Sequence, residues 1–146
     1  MPTIYETIKH DHEKHRKLLA DLDRTSGASD ARAELFRELK REVEAHAAAE
    51  EQTFYATLIA EPKGQPKARH SVHEHKTAAD LLDELTDLDL ANGGWLRKFR
   101  KLREELEHHM DEEESEIFKR AKKLISKPNA EALSGRFLER KSVELS

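Results

Sequence analysis

Two halves of this chain carry one chemistry at a fixed offset of 63 residues. His12 recurs as His75, His46 as His109 and Glu50 as Glu113. The flanks hold the same offset: Leu18, Leu19 and Leu22 return as Leu81, Leu82 and Leu85, while Phe36, Leu39 and Glu51 return as Phe99, Leu102 and Glu114. An internal repeat therefore places four His and two Glu, together with the apolar residues around them.

Punctuation residues divide the chain into helices. Thr3-x-x-Glu6 has the form of a capping box, in which the Thr hydroxyl and the Glu side chain satisfy amides left unpaired at a helix start, and the first helix runs to about Arg24. Gly27 and its flanking Ser residues mark a turn; Ser29 or Asp30 can cap a second helix reaching about Ala60, where Pro62, Gly64 and Pro66 break it. A third helix reaches about Leu90, and Asn92-Gly93-Gly94 then offers residues that tolerate left-handed geometry at a helix end. The fourth spans Trp95 to Ser126, and Pro128 and Asn129 open a short amphipathic segment to Leu145. Short connections make sequential helices antiparallel neighbours. The expected fold is all-α, an up-down-up-down antiparallel four-helix bundle over about residues 3–126 with a short C-terminal helix over about 129–145, in one domain spanning 1–146.

On those helices the repeated residues share a direction. His46 and Glu50 are four apart, as are His109 and Glu113, so each pair projects from one face about 40° apart. Val43 and Leu39, or Leu106 and Leu102, precede each His by three and seven residues, and Leu19 and Leu82 follow His12 and His75 by seven. All six polar groups thus lie on apolar stripes. Unpaired interior carboxylates and imidazoles are costly, and neighbouring carboxylates repel, difficulties that metal cations remove. Four imidazoles and two carboxylates without sulfur suit iron, zinc or manganese, and they exceed the needs of one tetrahedral zinc. Two His per metal with two bridging carboxylates is the economical reading.

Composition narrows the chemistry further. The chain has 146 residues, 38% of them charged, a formal net charge of −4 and no Cys, so thiolate zinc, iron-sulfur and disulfide chemistry are excluded. The charge gives no general pull toward nucleic acid or membrane, and no apolar run approaches spanning length. The N-terminus lacks the pattern of a signal peptide, which leaves the cytoplasm as the expected location. Neither His12-Glu13 nor His73-Glu74 continues into the H-E-x-x-H of a zincin. Ferritin-like carboxylate proteins need Glu-x-x-His on two helices, and only Glu105-x-x-His108 has that form. No phosphate loop or nucleophile elbow is present.

The strings Asp11-His12-Glu13, His46-Ala-Ala-Ala-Glu50-Glu51 and His109-Met-Asp-Glu-Glu113-Glu114, with Glu74-His75 before a leucine ladder, resemble the hemerythrin-like HHE cation-binding domains over about residues 3–126. The resemblance implies a non-heme center of two iron ions, oxo- or hydroxo-bridged, in a four-helix bundle, handling dioxygen, peroxide, nitric oxide or iron status. Oxygen-carrying hemerythrins have a further His four residues after the third-helix ligand, where Ala79 stands here, and an Asp where Glu113 stands. His15, one turn after His12, and Glu116, seven after His109, are additional candidate ligands. His10, His70, His73 and His108 fall off the inward direction and read as surface residues, and Glu13, Asp111, Glu112 and Glu114 as solvated acids. Two functional classes follow: a peroxide-consuming oxidoreductase, or a carrier or sensor of oxygen or iron that works with a separate redox or signalling partner. Zinc or manganese in place of iron is the alternative metallation.

Overall fold

The computed structural model describes residues 1–146 and contains helices and connecting turns without a strand. Helix α1 spans Ile4–Asp23. Helix α2 begins at Asp30–Glu50, passes through a π-helical turn Glu51–Tyr55 and ends with Ala56–Ile59. Helix α3 is Gln65–Asp87. Helix α4 begins at Trp95–Glu112, passes through a second π-helical turn Glu113–Ile117 and ends with Phe118–Leu124. Helix α5 is Lys127–Leu145.

Local chemistry sets most of these ends. Thr3 and Glu6 form both halves of the capping box on α1, and Ser29 and Ser126 accept from the Arg32 and Asn129 amides at the starts of α2 and α5. Gly27, at φ 59°, supplies the left-handed turn between α1 and α2. The α3–α4 connection differs from expectation: Gly93 and Gly94 are not left-handed, because the Asn92 side chain accepts from the Gly94 amide at 2.8 Å and its carbonyl accepts from Trp95, closing the turn by itself. Gly64 serves another purpose, since a Cβ there would stand 2.5 Å from the Leu58 carbonyl oxygen.

The first four helices form the bundle, with α1 against α2 and α3 against α4. Helix α5, at 19 residues, is nearly as long as α1 rather than short, and it lies across α1 and α2. Its Leu133 and Phe137 are buried, and its Ser134 hydroxyl pairs with Thr7 at 2.6 Å. Two apolar cores result. One holds Ile4, Ile8, Phe54, Tyr55, Leu58, Phe118 and Phe137; the other holds Leu19, Leu22, Leu39, Leu82, Trp95, Phe99 and Leu102. At about 25 cal/mol per Å² of apolar surface removed from water, such cores dominate the favourable side of folding. Arg32 ties the loops beyond the second core, donating to Thr25 Oγ1, the Thr25 carbonyl and the Leu90 carbonyl while its guanidinium lies 4.7 Å from the Trp95 ring centroid. No helix is long and apolar enough to cross a membrane.

Candidate metal centre

Between the two cores lies a polar layer built by the repeated residues. His12 Nε2 lies 3.0 Å from Glu113 Oε1, and His46 Nε2 lies 3.2 Å from Glu50 Oε2. In the second half His75 Nε2 is 3.0 Å from Glu50 Oε1, and His109 Nε2 is 3.6 Å from Glu113 Oε2. Potential donor atoms of His12, His46, Glu50 and Glu113 lie within 4.8 Å of one another, and so do those of Glu50, His75, His109 and Glu113. Glu50 and Glu113, both fully buried, belong to both quartets.

The other nitrogen of each imidazole is held by an acid from a neighbouring helix. Asp11 on α1 contacts His46 Nδ1 on α2 at 2.7 Å, and Glu51 on α2 contacts His75 Nδ1 on α3 at 2.9 Å. Glu74 on α3 contacts His109 Nδ1 on α4 at 2.8 Å, and Glu114 on α4 contacts His12 Nδ1 on α1 at 2.6 Å. Acid-to-imidazole contacts thus run once around the bundle. Each fixes the ring so that Nδ1–H donates outward and Nε2 faces the center. Glu114 is therefore no solvated acid; bundle closure brings His12 and Arg16 to its carboxylate. Asp11 and Glu74 are 63 residues apart, as are Glu51 and Glu114, so the repeat carried these acids as well.

The inward atoms want a partner. His12 Nε2, His46 Nε2, both Glu50 oxygens and Glu113 Oε1 are buried and lie close to one another, yet none is aligned in a hydrogen bond, a concentration of polar atoms that is costly for protein alone. Nitrogen and carboxylate donors with outward-anchored rings fit divalent or trivalent first-row metals. The protonation balance agrees. Burial pulls His46 and His75 down, but Glu50 with Asp11 for the first, and Glu50 with Glu51 for the second, raise each to about 9. Burial and the adjacent Glu50 push Glu113 well up, while His46 and His75 overcome burial and hold Glu50 well down. Before metal arrives, protons neutralise this layer.

The two additional candidates part company. His15 is buried beside His46, with its Nε2 unpartnered and its ring centroid 5.0 Å from that of His46. It lines a cavity of about 30 Å³ with His12, His46, His75 and His109, walled by Val43, Ala47, Ala78, Leu106 and Met110. Glu116 is exposed, ion-paired with Lys67 at 3.2 Å and outside the converging groups. Ala79 is exposed too; Ala78, the repeat mate of His15, faces the cavity. Sequence reading also missed Tyr55, whose buried hydroxyl donates to Glu113 Oε2 and whose repeat mate is Phe118. Lys141 on α5 lies 2.9 Å from Asp11 Oδ1 and 3.0 Å from Glu42 Oε2, backing the acid that orients His46.

Comparison with known proteins places this arrangement. Residues 3–121 match the hemerythrin HHE cation binding domain. Among solved structures, a hemerythrin HHE cation binding domain-containing protein from Mycobacterium kansasii is similar, with a TM-score of 0.88 at 24% identity, covering 99% of this chain and 88% of that one. No curated protein sequence matches.

Proposed function

The chain belongs to the hemerythrin HHE cation-binding domain family, and on that premise we propose that residues 1–146 act as one domain holding two iron ions and consuming peroxide. His12 and His46 would hold one ion, His75 and His109 the other, with Glu50 and Glu113 shared between them. The carrying observation is the pair of quartets with common carboxylates and unpartnered inward atoms. Iron is favoured over zinc because peroxide disproportionation needs a metal that changes oxidation state, which zinc does not, and this donor set suits iron.

Bound iron would supply the two-electron redox change by which one peroxide is reduced to water and a second is oxidised to dioxygen. The protein's own residues select and orient the small molecule. The cavity of about 30 Å³ admits a molecule of about two non-hydrogen atoms, such as hydrogen peroxide, and its wall of Val43, Ala47, Ala78, Leu106 and Met110 keeps bulk water away. His15 Nε2 is placed to exchange a hydrogen bond with a ligand in that cavity. Tyr55 steadies Glu113 from the opposite core.

Iron-loaded protein should contain about two ions per chain, with Mössbauer parameters of a coupled pair, and should release dioxygen from hydrogen peroxide in stopped-flow and oxygen-electrode measurements. A single zinc persisting despite iron supply would refute the metal assignment. An oxygen adduct that survives for minutes and dissociates under vacuum, without peroxide turnover, would replace enzyme by carrier or sensor.

A further inference from the structure

The four-residue His-to-Glu spacing of the buried layer occurs again on its outer side, as His70-x-x-x-Glu74 on α3 and His108-x-x-x-Glu112 on α4. His108 and Glu112 precede His109 and Glu113 by one residue, which rotates them about 100° away from the buried layer. The two pairs meet across the α3–α4 seam. His70 Nε2 lies 3.0 Å from Glu112 Oε1 and 3.4 Å from Glu74 Oε2, and His108 Nε2 lies 3.1 Å from Glu112 Oε2 and 3.6 Å from Glu74 Oε2. Donor atoms of His70, Glu74 and Glu112 all lie within 4.8 Å of one another, while His108 meets the other oxygen of Glu112. A tetrahedral ion with bonds of about 2.1 Å has ligand–ligand edges of about 3.4 Å, so the three converging groups can take three of its positions.

Charge makes the same point. Asp11, the repeat mate of Glu74, is neutralised by Lys141 from α5. Glu74 and Glu112 meet no lysine or arginine; imidazoles alone face them. With neutral imidazoles the cluster carries two negative charges, which one divalent ion would balance. His70 and His108 are both more than half exposed, which leaves an open path for the ion, while Glu74 is anchored within through His109 Nδ1.

We infer that His70, Glu74 and Glu112, flanked by His108 on the second oxygen of Glu112, form an outer site for one divalent transition-metal ion, separate from the buried quartets and joined to them by Glu74. One imidazole and two carboxylates, with a position left for water, suit Zn²⁺, which serves as the probe. Because the outer ligands are distinct residues, the site stands whether the buried layer takes iron or another metal.

The test titrates Zn²⁺ into protein whose buried centre has first been filled and quantified, using calorimetry and metal content after gel filtration. One further zinc per chain is expected. The paired substitution His70→Ala/His108→Ala should weaken its binding by more than the about tenfold loss that changes around a metal ligand commonly cause, with helical circular dichroism and buried metal content unchanged. His10→Ala/His73→Ala should retain it. Absence of an additional zinc, or its undiminished retention in His70→Ala/His108→Ala, would overturn the inference. Failure to load iron would count only against the di-iron reading, since zinc in the buried layer leaves the same comparison intact.

Discussion

The two halves of the buried layer present matching donors in unlike surroundings. Around His12 and His46, Asp11 is backed by Lys141, α5 covers the helices, and His15 enters the cavity. Around His75 and His109, Glu74 opens toward His70 and His108, and Ala78 stands where His15 does. The repeat supplies symmetry of donor groups; α5 and one imidazole remove symmetry of environment. Two ions held there would differ in access and in the charge behind their histidines, which suits a reaction that needs one ligand bound on one side.

The severest way to break the comparison is to remove what the halves share. Glu50→Ala or Glu113→Ala should lose both ions, whereas His46→Ala and His109→Ala should each empty mainly one half, read by metal analysis. Full retention of one ion in Glu50→Ala would show that the halves do not share their carboxylates.

Proton competition comes next. His46 and His75 are raised to about 9, above the ordinary imidazole value of about 6.5. Their contribution to apoprotein stability is therefore fully present below pH 6.5 and lost as pH rises through about 9. Metal must displace the same protons, so uptake should tighten across that window by about tenfold per pH unit for each proton released. Competition with a chelator at several pH values measures it, and a flat profile would contradict the assignment of these rings.

Lys141→Met touches the first half alone. Leaving Asp11 without its lysine, while Glu42 keeps Lys14, should cost about 2 kcal/mol of stability, below the range for fully buried pairs because Lys141 retains some exposure. It should also weaken metal at His12 and His46 about tenfold through loss of the ring's support. Thermal melts of apo and loaded protein separate these effects. The smallest change is His15→Leu, which removes an unpartnered buried nitrogen and should raise apoprotein stability by about 1 kcal/mol while slowing peroxide turnover.

Sequence pattern revealed the helices and the inward set because both rest on periodicity: His46 with Glu50, and His109 with Glu113, ride stripes that also carry Val43 and Leu106. Family resemblance and fold follow from that layer. What periodicity hides is partnership between helices. Glu51 and Glu114 stood in the repeat, yet nothing along one helix shows that Glu114 will meet His12 across the bundle. His70 and His108 were read as isolated surface residues for the same reason, since their convergence depends on how α3 lies against α4. The expectation of left-handed Gly93 and Gly94 overlooked the competing ability of Asn92 to form the turn with its side chain.

The π-helical turns did leave a trace in the spacing. His46, Glu50, Phe54 and Leu58 are all buried at intervals of four, as are His109, Glu113, Ile117 and Ala121. On a straight α-helix each such interval drifts about 40°, so three would swing the last residue about 120° off the core. One extra residue within each turn absorbs nearly all of that drift. Chain length in 51–55 and 113–117 is consequently as binding as side-chain identity: deleting Gln52 would straighten the helix yet rotate Phe54, Tyr55 and Leu58 by about 100°, withdrawing the Tyr55 hydroxyl from Glu113. Substitutions can be absorbed locally here; a frame-preserving loss of one residue is transmitted down the whole remaining helix.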